Sequence, residues 1–180
     1  MELIDVIRKD HDEVRTLFER VASSSGKRRE DAFTKLRGEL IRHEVAEEEI
    51  VRPLTKGFAS NGKRIAEARI REESEAEGVL KKMERAEVGT PGWEQLFQRL
   101  HGAVLEHAEK EERVEHPRLA ESVDREKLRE AAKAFQAAKK LAPTRPHPRT
   151  PNTAAANLAA GPVAALVDRA RDAVQRAMAD

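Results

Sequence analysis

Two His-x-x-x-Glu pairs, His43 with Glu47 and His107 with Glu111, are the residues of this chain best suited to chemistry. Residues four apart lie on one face of a helix, so each pair aims an imidazole and a carboxylate in the same direction. That direction is inward. His43 follows Leu40 by three residues and Glu47 precedes Ile50 by three, and His107 and Glu111 stand likewise between Val104 and Val114. Histidines and ionised carboxylates on core stripes carry a large desolvation cost unless they are paired or hold a cation. Bound metal meets that cost most simply. Carboxylate plus imidazole without thiolate suits iron or manganese, with zinc as a substitute.

The pairs belong to an internal repeat. Phe33, Leu36, Leu40, His43, Glu47, Ile50 and Pro53 match Phe97, Leu100, Val104, His107, Glu111, Val114 and Pro117 at a constant offset of 64. An offset of 62 relates Ile4, His11, Val14, Leu17, Phe18 and Val21 to Ala66, Glu73, Ala76, Val79, Leu80 and Met83. The chain therefore reads as a duplicated helical hairpin. Each hairpin brings one metal-capable side chain from its first helix, His11 or Glu73, and a His-x-x-x-Glu pair from its second. Two carboxylates and several imidazoles from four facing helices predict a dinuclear site. On helix 3, Glu72, Glu75 and Glu77 compete with Glu73. The repeat favours Glu73, with Glu77 one turn on as the second candidate. His101 matches Arg37, off the inward stripe; His116 lies beyond the helical stripe and His147 in a Pro-rich stretch, so these three are set aside.

The elements that position the site follow from apolar spacing and its breaks. Helix 1 runs from Leu3 to Val21 and stops at Ser23-Ser24-Ser25-Gly26; helix 2 runs to Pro53 and ends near Arg52. Helix 3 spans about Lys63 to Glu87. Thr90 caps helix 4, with Pro91 in its first turn, and Pro117 stops it. A shorter helix capped by Asp124 runs to about Lys140. No segment alternates with period two, so the fold class is all-α, an antiparallel four-helix bundle over residues 1–140 with an additional short helix. Pro143, Pro146, Pro148 and Pro151 mark a stiff Pro/Ala-rich linker, 141–160. A C-terminal helix within 161–180, carrying Val163, Leu166, Val167, Ala170 and Val174 on one stripe, is expected to pack on the bundle.

Composition excludes several classes. Lys+Arg 34 against Asp+Glu 33 gives a net charge of +1, and aromatics are 3% with no Tyr, so neither an attracting field nor a stacking surface for nucleic acid is present. The longest run without a charged or strongly polar residue, Leu158–Val167, is ten residues, contains Gly161 and Pro162, and is too short for a membrane span of about 20. The first residues hold no apolar signal core and the chain has no Cys, which predicts a cytoplasmic protein. Gly-rich phosphate loops, a Cys nucleophile and a Gly-x-Ser-x-Gly elbow are all missing.

A His in helix 1, His-x-x-x-Glu in helix 2, a ligand in helix 3 and His-x-x-x-Glu before a Pro in helix 4 together resemble the haemerythrin-like, HHE cation-binding domain. The similarity covers residues 1 to about 140, and the Pro-rich linker with its terminal helix resembles the tails of actinobacterial members. The resemblance implies two non-haem iron ions in a four-helix bundle. It implies further that Glu47 and Glu111 bridge them, that His11 and His43 serve one iron, and that His107 with the helix 3 residue serves the other. Helix 3 departs from the family pattern, with Glu73 and Glu77 where His is common. An anionic ligand stabilises the ferric state, so reversible oxygen carriage is not expected. The function expected is reaction with oxygen species (peroxide first, also O2 or NO) in stress protection or sensing, with weak catalase- or peroxidase-like turnover as its enzymatic form. Non-catalytic iron storage or sensing, and a metal-free structural bundle, are the alternatives.

Overall fold

The computed structural model describes residues 1–142. The expected linker over 141–160 and tail helix over 161–180 lie outside the described residues, save the last two positions before the prolines. The helices are α1 (Leu3–Ala22), α2 (Gly26–Ala46), α3 (Arg52–Phe58), α4 (Gly62–Met83), α5 (Pro91–Lys110), α6 (His116–Ser122) and α7 (Arg125–Leu141). Among the described residues there is no strand, as the lack of period-two alternation predicts. Single π-helical turns, Glu47–Val51 and Glu111–Glu115, join α2 to α3 and α5 to α6. Four rods result, namely α1, α2 continued by α3, α4, and α5 continued by α6. They pack as an antiparallel bundle, with α7 laid across α1 and α2.

The expected ends of two helices are corrected here. Helix 2 does not stop near Arg52, nor helix 4 at Pro117: both run on, to Phe58 and Ser122. In each π turn the amide of the following residue reaches back five positions, Arg52 to the Glu47 carbonyl and His116 to that of Glu111. Pro53 and Pro117 then fall in the first turn of a restarted α-helix, where a missing N–H costs nothing. Helix 3 ends at Met83, four residues short of the expected Glu87. The caps of α5 and α7 are as the sequence predicts, with the Thr90 hydroxyl accepting from the Trp93 amide and the Asp124 carboxylate from the Lys127 amide.

Two apolar lobes flank a polar middle. One holds Phe18, Phe33, Leu36, Leu80, Trp93 and Phe97. The other holds Leu3, Ile7, Ile50, Leu54, Leu119 and Phe135. Each fully buried aromatic or aliphatic side chain contributes roughly 1.5–3 kcal/mol, so the lobes clamp the helices at both ends of the polar layer. The repeat breaks where α7 intervenes. Ile50 is covered by α7, while Val114, its partner at the offset of 64 and expected to face inward, is 40% exposed because α7 covers only one hairpin. Gly62 opens α4 where nothing larger fits: a Cβ there would stand 1.7 Å from the Thr55 carbonyl oxygen. That close turn, with Asn61 left-handed before it, fixes Thr55 beside the polar layer.

Candidate metal centre

Ligand-capable atoms converge in two clusters between the lobes. His11, His43, Glu47 and Glu111 form the first, and Glu47, Glu73, His107 and Glu111 the second, with the atoms of each within 4.8 Å of one another. The clusters share both glutamates, and each glutamate divides its oxygens between them. Glu47 Oε1 lies 3.5 Å from His43 Nε2, and its Oε2 3.9 Å from His107 Nε2. Glu111 Oε2 lies 3.3 Å from His11 Nε2, and its Oε1 3.2 Å from His107 Nε2. Glu47 and Glu111 are fully buried.

Three imidazoles are held by the nitrogen that faces away from the clusters. His11 Nδ1 pairs with Glu112 at 2.8 Å, His43 Nδ1 with Asp10 at 3.5 Å and His107 Nδ1 with Glu72 at 3.0 Å. Each of those carboxylates is held in turn by a cation: Arg15 on Glu112, Lys139 on Asp10, Lys110 on Glu72. In the neutral imidazole that a metal requires, an Nδ1–H donated outward leaves the Nε2 lone pair pointing inward, the arrangement that orients and strengthens a metal-binding histidine. His11 Nε2, His107 Nε2, Glu47 Oε1 and Glu111 Oε2 are buried without a hydrogen-bond partner. Buried polar atoms left unpaired cost free energy. A donor set of two imidazoles and two carboxylates in the first cluster fits a bound transition-metal cation.

Burial works against charge here and is overruled. It would raise the Glu111 carboxyl, but His107 and Arg52 hold it well below the usual carboxylate range. It would lower the His107 imidazole, but Glu111 and Glu47 push it well up. Burial also opposes the Glu72 carboxylate, yet its bonds to His107 and Lys110 bring it down to about 2. For Glu44, burial and then Glu73 act together and keep the carboxyl protonated well above its ordinary value. Glu44 lines, with Val14, Leu40, Ala76 and Val104, a cavity of about 30 Å³ that opens onto His11, His43 and His107. Such a space admits one or two molecules the size of water.

Six of the seven expected ligands are brought together: His11, His43, Glu47, Glu73, His107 and Glu111. Glu77 stands outside both clusters. Four residues past Glu73 it stands about 6 Å farther along the α4 axis, and its Oε1 pairs with Lys81 at 2.8 Å. His101 is away from the clusters, stacked on Phe18 at 4.5 Å. His116, set aside in the sequence, is 1% exposed, stacks on His11 with ring centroids 6.0 Å apart, and has neither ring nitrogen partnered. Burial brings its imidazole down to about 4. Arg52 was also missed. Its buried guanidinium reaches Glu47, Glu73, Glu111 and Glu115. The signal for both was the offset of 64, which pairs Arg52 with His116, two polar residues each set just before a repeated proline.

A four-helix bundle with a carboxylate-and-imidazole core defines a class of helical metal-binding domains, and comparison with known proteins says which one. The profile of the hemerythrin HHE cation-binding domain matches residues 2–119, and the chain belongs to that family. A hemerythrin-like protein of Schizosaccharomyces pombe is 28% identical over 177 residues, covering 96% of this chain and 86% of that protein. A DNA nickase of Nostoc is 26% identical over 140 residues, 77% of this chain but only 39% of that longer protein. The solved structure of a hemerythrin HHE cation-binding domain-containing protein from Mycobacterium kansasii has the same fold. Its TM-score is 0.70 at 19% identity, over 78% of this chain and 86% of that one. No described helix is long and apolar enough to cross a membrane.

Proposed function

We propose that the chain is a non-haem di-iron protein that consumes peroxide. The observation that carries this reading is the division of Glu47 and Glu111 between two clusters, with Oε1 and Oε2 of each facing different imidazoles. By this reading His11 and His43 serve one ion, Glu73 and His107 the other, and both glutamates are shared. Iron supplies the one-electron redox chemistry when bound; the chain supplies the rest. Glu112, Asp10 and Glu72 hold the imidazoles in register. The apolar walls of the cavity admit only a small ligand such as peroxide, dioxygen or nitric oxide, and Glu44 holds a proton beside it.

With no Cys and no Tyr, the chain has no thiol or phenol to take up oxidising equivalents. Turnover without an external reductant therefore takes two peroxides, one reduced to water and one oxidised to dioxygen. Glu73 adds an anion on one side and favours the oxidised state, so the reduced protein is expected to be oxidised by air without a reversible oxygen complex. We place this activity in the cytoplasm, in stress protection or sensing.

The test is peroxide decay with iron-loaded protein. Loss of peroxide should require bound iron, and the His43→Ala variant should not support it. Iron bound with peroxide persisting would favour storage or sensing instead. A chain that takes no metal would leave the structural-bundle reading, against which the unpartnered buried nitrogens of His11, His107 and His116 already weigh.

A further inference from the structure

The two hairpins differ inside the site at one repeated position. Arg52 and His116 are related by the offset of 64, each directly before its proline, and each follows a π turn that carries it inward. Arg52 is 1% exposed. Its Nη2 donates to Glu47 Oε2 at 3.0 Å and also to Glu73 Oε1 and Glu111 Oε1, while Nε donates to Glu73 Oε1 at 3.0 Å. Those three oxygens, with His107 Nε2, are the ligand atoms of the second cluster. A guanidinium nitrogen of this type carries two hydrogens, too few to give each of three carboxylates a full hydrogen bond. A divalent cation can accept all three and the imidazole together. Arg52 Nη2 thus stands where a cation belongs. At the first cluster no guanidinium intrudes, and His11 Nε2, Glu47 Oε1 and Glu111 Oε2 remain without hydrogen-bond partners.

We infer that Arg52 is a built-in cation of the second cluster, and that metal enters in sequence. The first ion takes His11, His43, Glu47 and Glu111. The second takes Glu47, Glu73, His107 and Glu111 only by displacing the guanidinium. This rests on reading the site as a two-metal centre. A retreat exists that keeps the displaced charge paired: Nη1 donates to both oxygens of Glu115, at 3.0 and 3.1 Å, and the Thr55 hydroxyl also donates to Glu115 Oε1. Without metal, Arg52 neutralises carboxylates that would otherwise repel one another in a buried layer. With metal, it opposes the second ion and adds to the difference that the two unlike donor sets already produce.

Calorimetric titration of the metal-free full chain with Zn2+ tests this. Two binding steps should appear, the second weaker by roughly 100-fold, the equivalent of two charge-assisted hydrogen bonds lost. Arg52→Gln should tighten the second step by at least about tenfold more than the first, and Arg52→Lys should fall between. Because Arg52→Gln leaves buried carboxylates without their counter-charge and puts the fold at risk, a second readout uses the unaltered protein. In a sample labelled with 15N-arginine, the protected Nε–H signal of Arg52, identified by its loss in Arg52→Lys, should hold through the first equivalent of Zn2+ and shift with the second. Two equal sites, or a signal that moves with the first equivalent, would overturn the inference while leaving the two-metal reading intact. No binding at all would overturn both.

Discussion

Each shared glutamate meets two imidazoles, but His116 pairs with no carboxylate, and that makes it the residue whose protonation the fold resists most plainly. Both its ring nitrogens are buried without partners, and burial brings its imidazole from 6.5 down to about 4. A histidine with a folded value below its unfolded one must charge on unfolding in that window. Stability of the metal-free protein should therefore fall as pH drops from 6.5 toward 4 and level off below, by roughly 3 kcal/mol in all. Urea unfolding at several pH values should show this acid limb, and His116→Phe should flatten it relative to the unaltered chain. The same limb in both proteins would mean that His116 is solvated or paired after all.

At the scale of elements, α7 lies beyond the matched family domain yet reaches the site. Its Lys139 binds Asp10 at 2.8 Å and also contacts Glu39, while Asp10 tethers His43 Nδ1. Phe135, fully buried, sets its ring edge against His43 at 6.0 Å. Loss of such an outward partner typically weakens metal binding by about 10–100-fold. Asp10→Asn should do so for the first ion and less for the second, as a metal titration would show; equal affinity in both proteins would leave Asp10 no positioning role. The rods and the six residues that cluster were legible in the sequence, because Leu36, Leu40, His43 and Glu47 keep regular helical spacing and the second hairpin repeats it. Arg52 and His116 were not. A π turn inserts one residue, so the inward face after Glu47 and Glu111 falls five positions on, and counting by threes and fours points at Ile50 and Val114 instead. Asp10 and Glu112 were not legible, and Glu72 was read only as a rival of Glu73, for another reason. In the sequence, an acid that holds a histidine from behind looks like any acid on a solvated helix face, even where, as for Asp10, the fold buries it.

For the molecule as a whole, the layered plan explains how buried charge is tolerated. Two apolar lobes close off the polar layer, and cations on its rim, Arg15, Lys110 and Lys139, balance the outer carboxylates. The remaining segment, from the Pro-rich linker onward, carries the stripe Val163, Leu166, Val167, Ala170 and Val174. We propose that this stripe packs on the bundle, since an exposed apolar face of that length is unfavourable. Truncation after Leu141 should then lower the melting temperature or expose surface that binds a hydrophobic dye. An unchanged melting curve without new dye binding would count against docking.

The central claim is that Glu47 and Glu111 are shared between two metal ions. Anomalous diffraction at the iron edge, from crystals of the full chain with iron in excess, tests it most directly. Two peaks are predicted, one beside His11 and His43 and one beside Glu73 and His107, with both glutamates between them. A single peak, or two peaks that do not share Glu47 and Glu111, would contradict it.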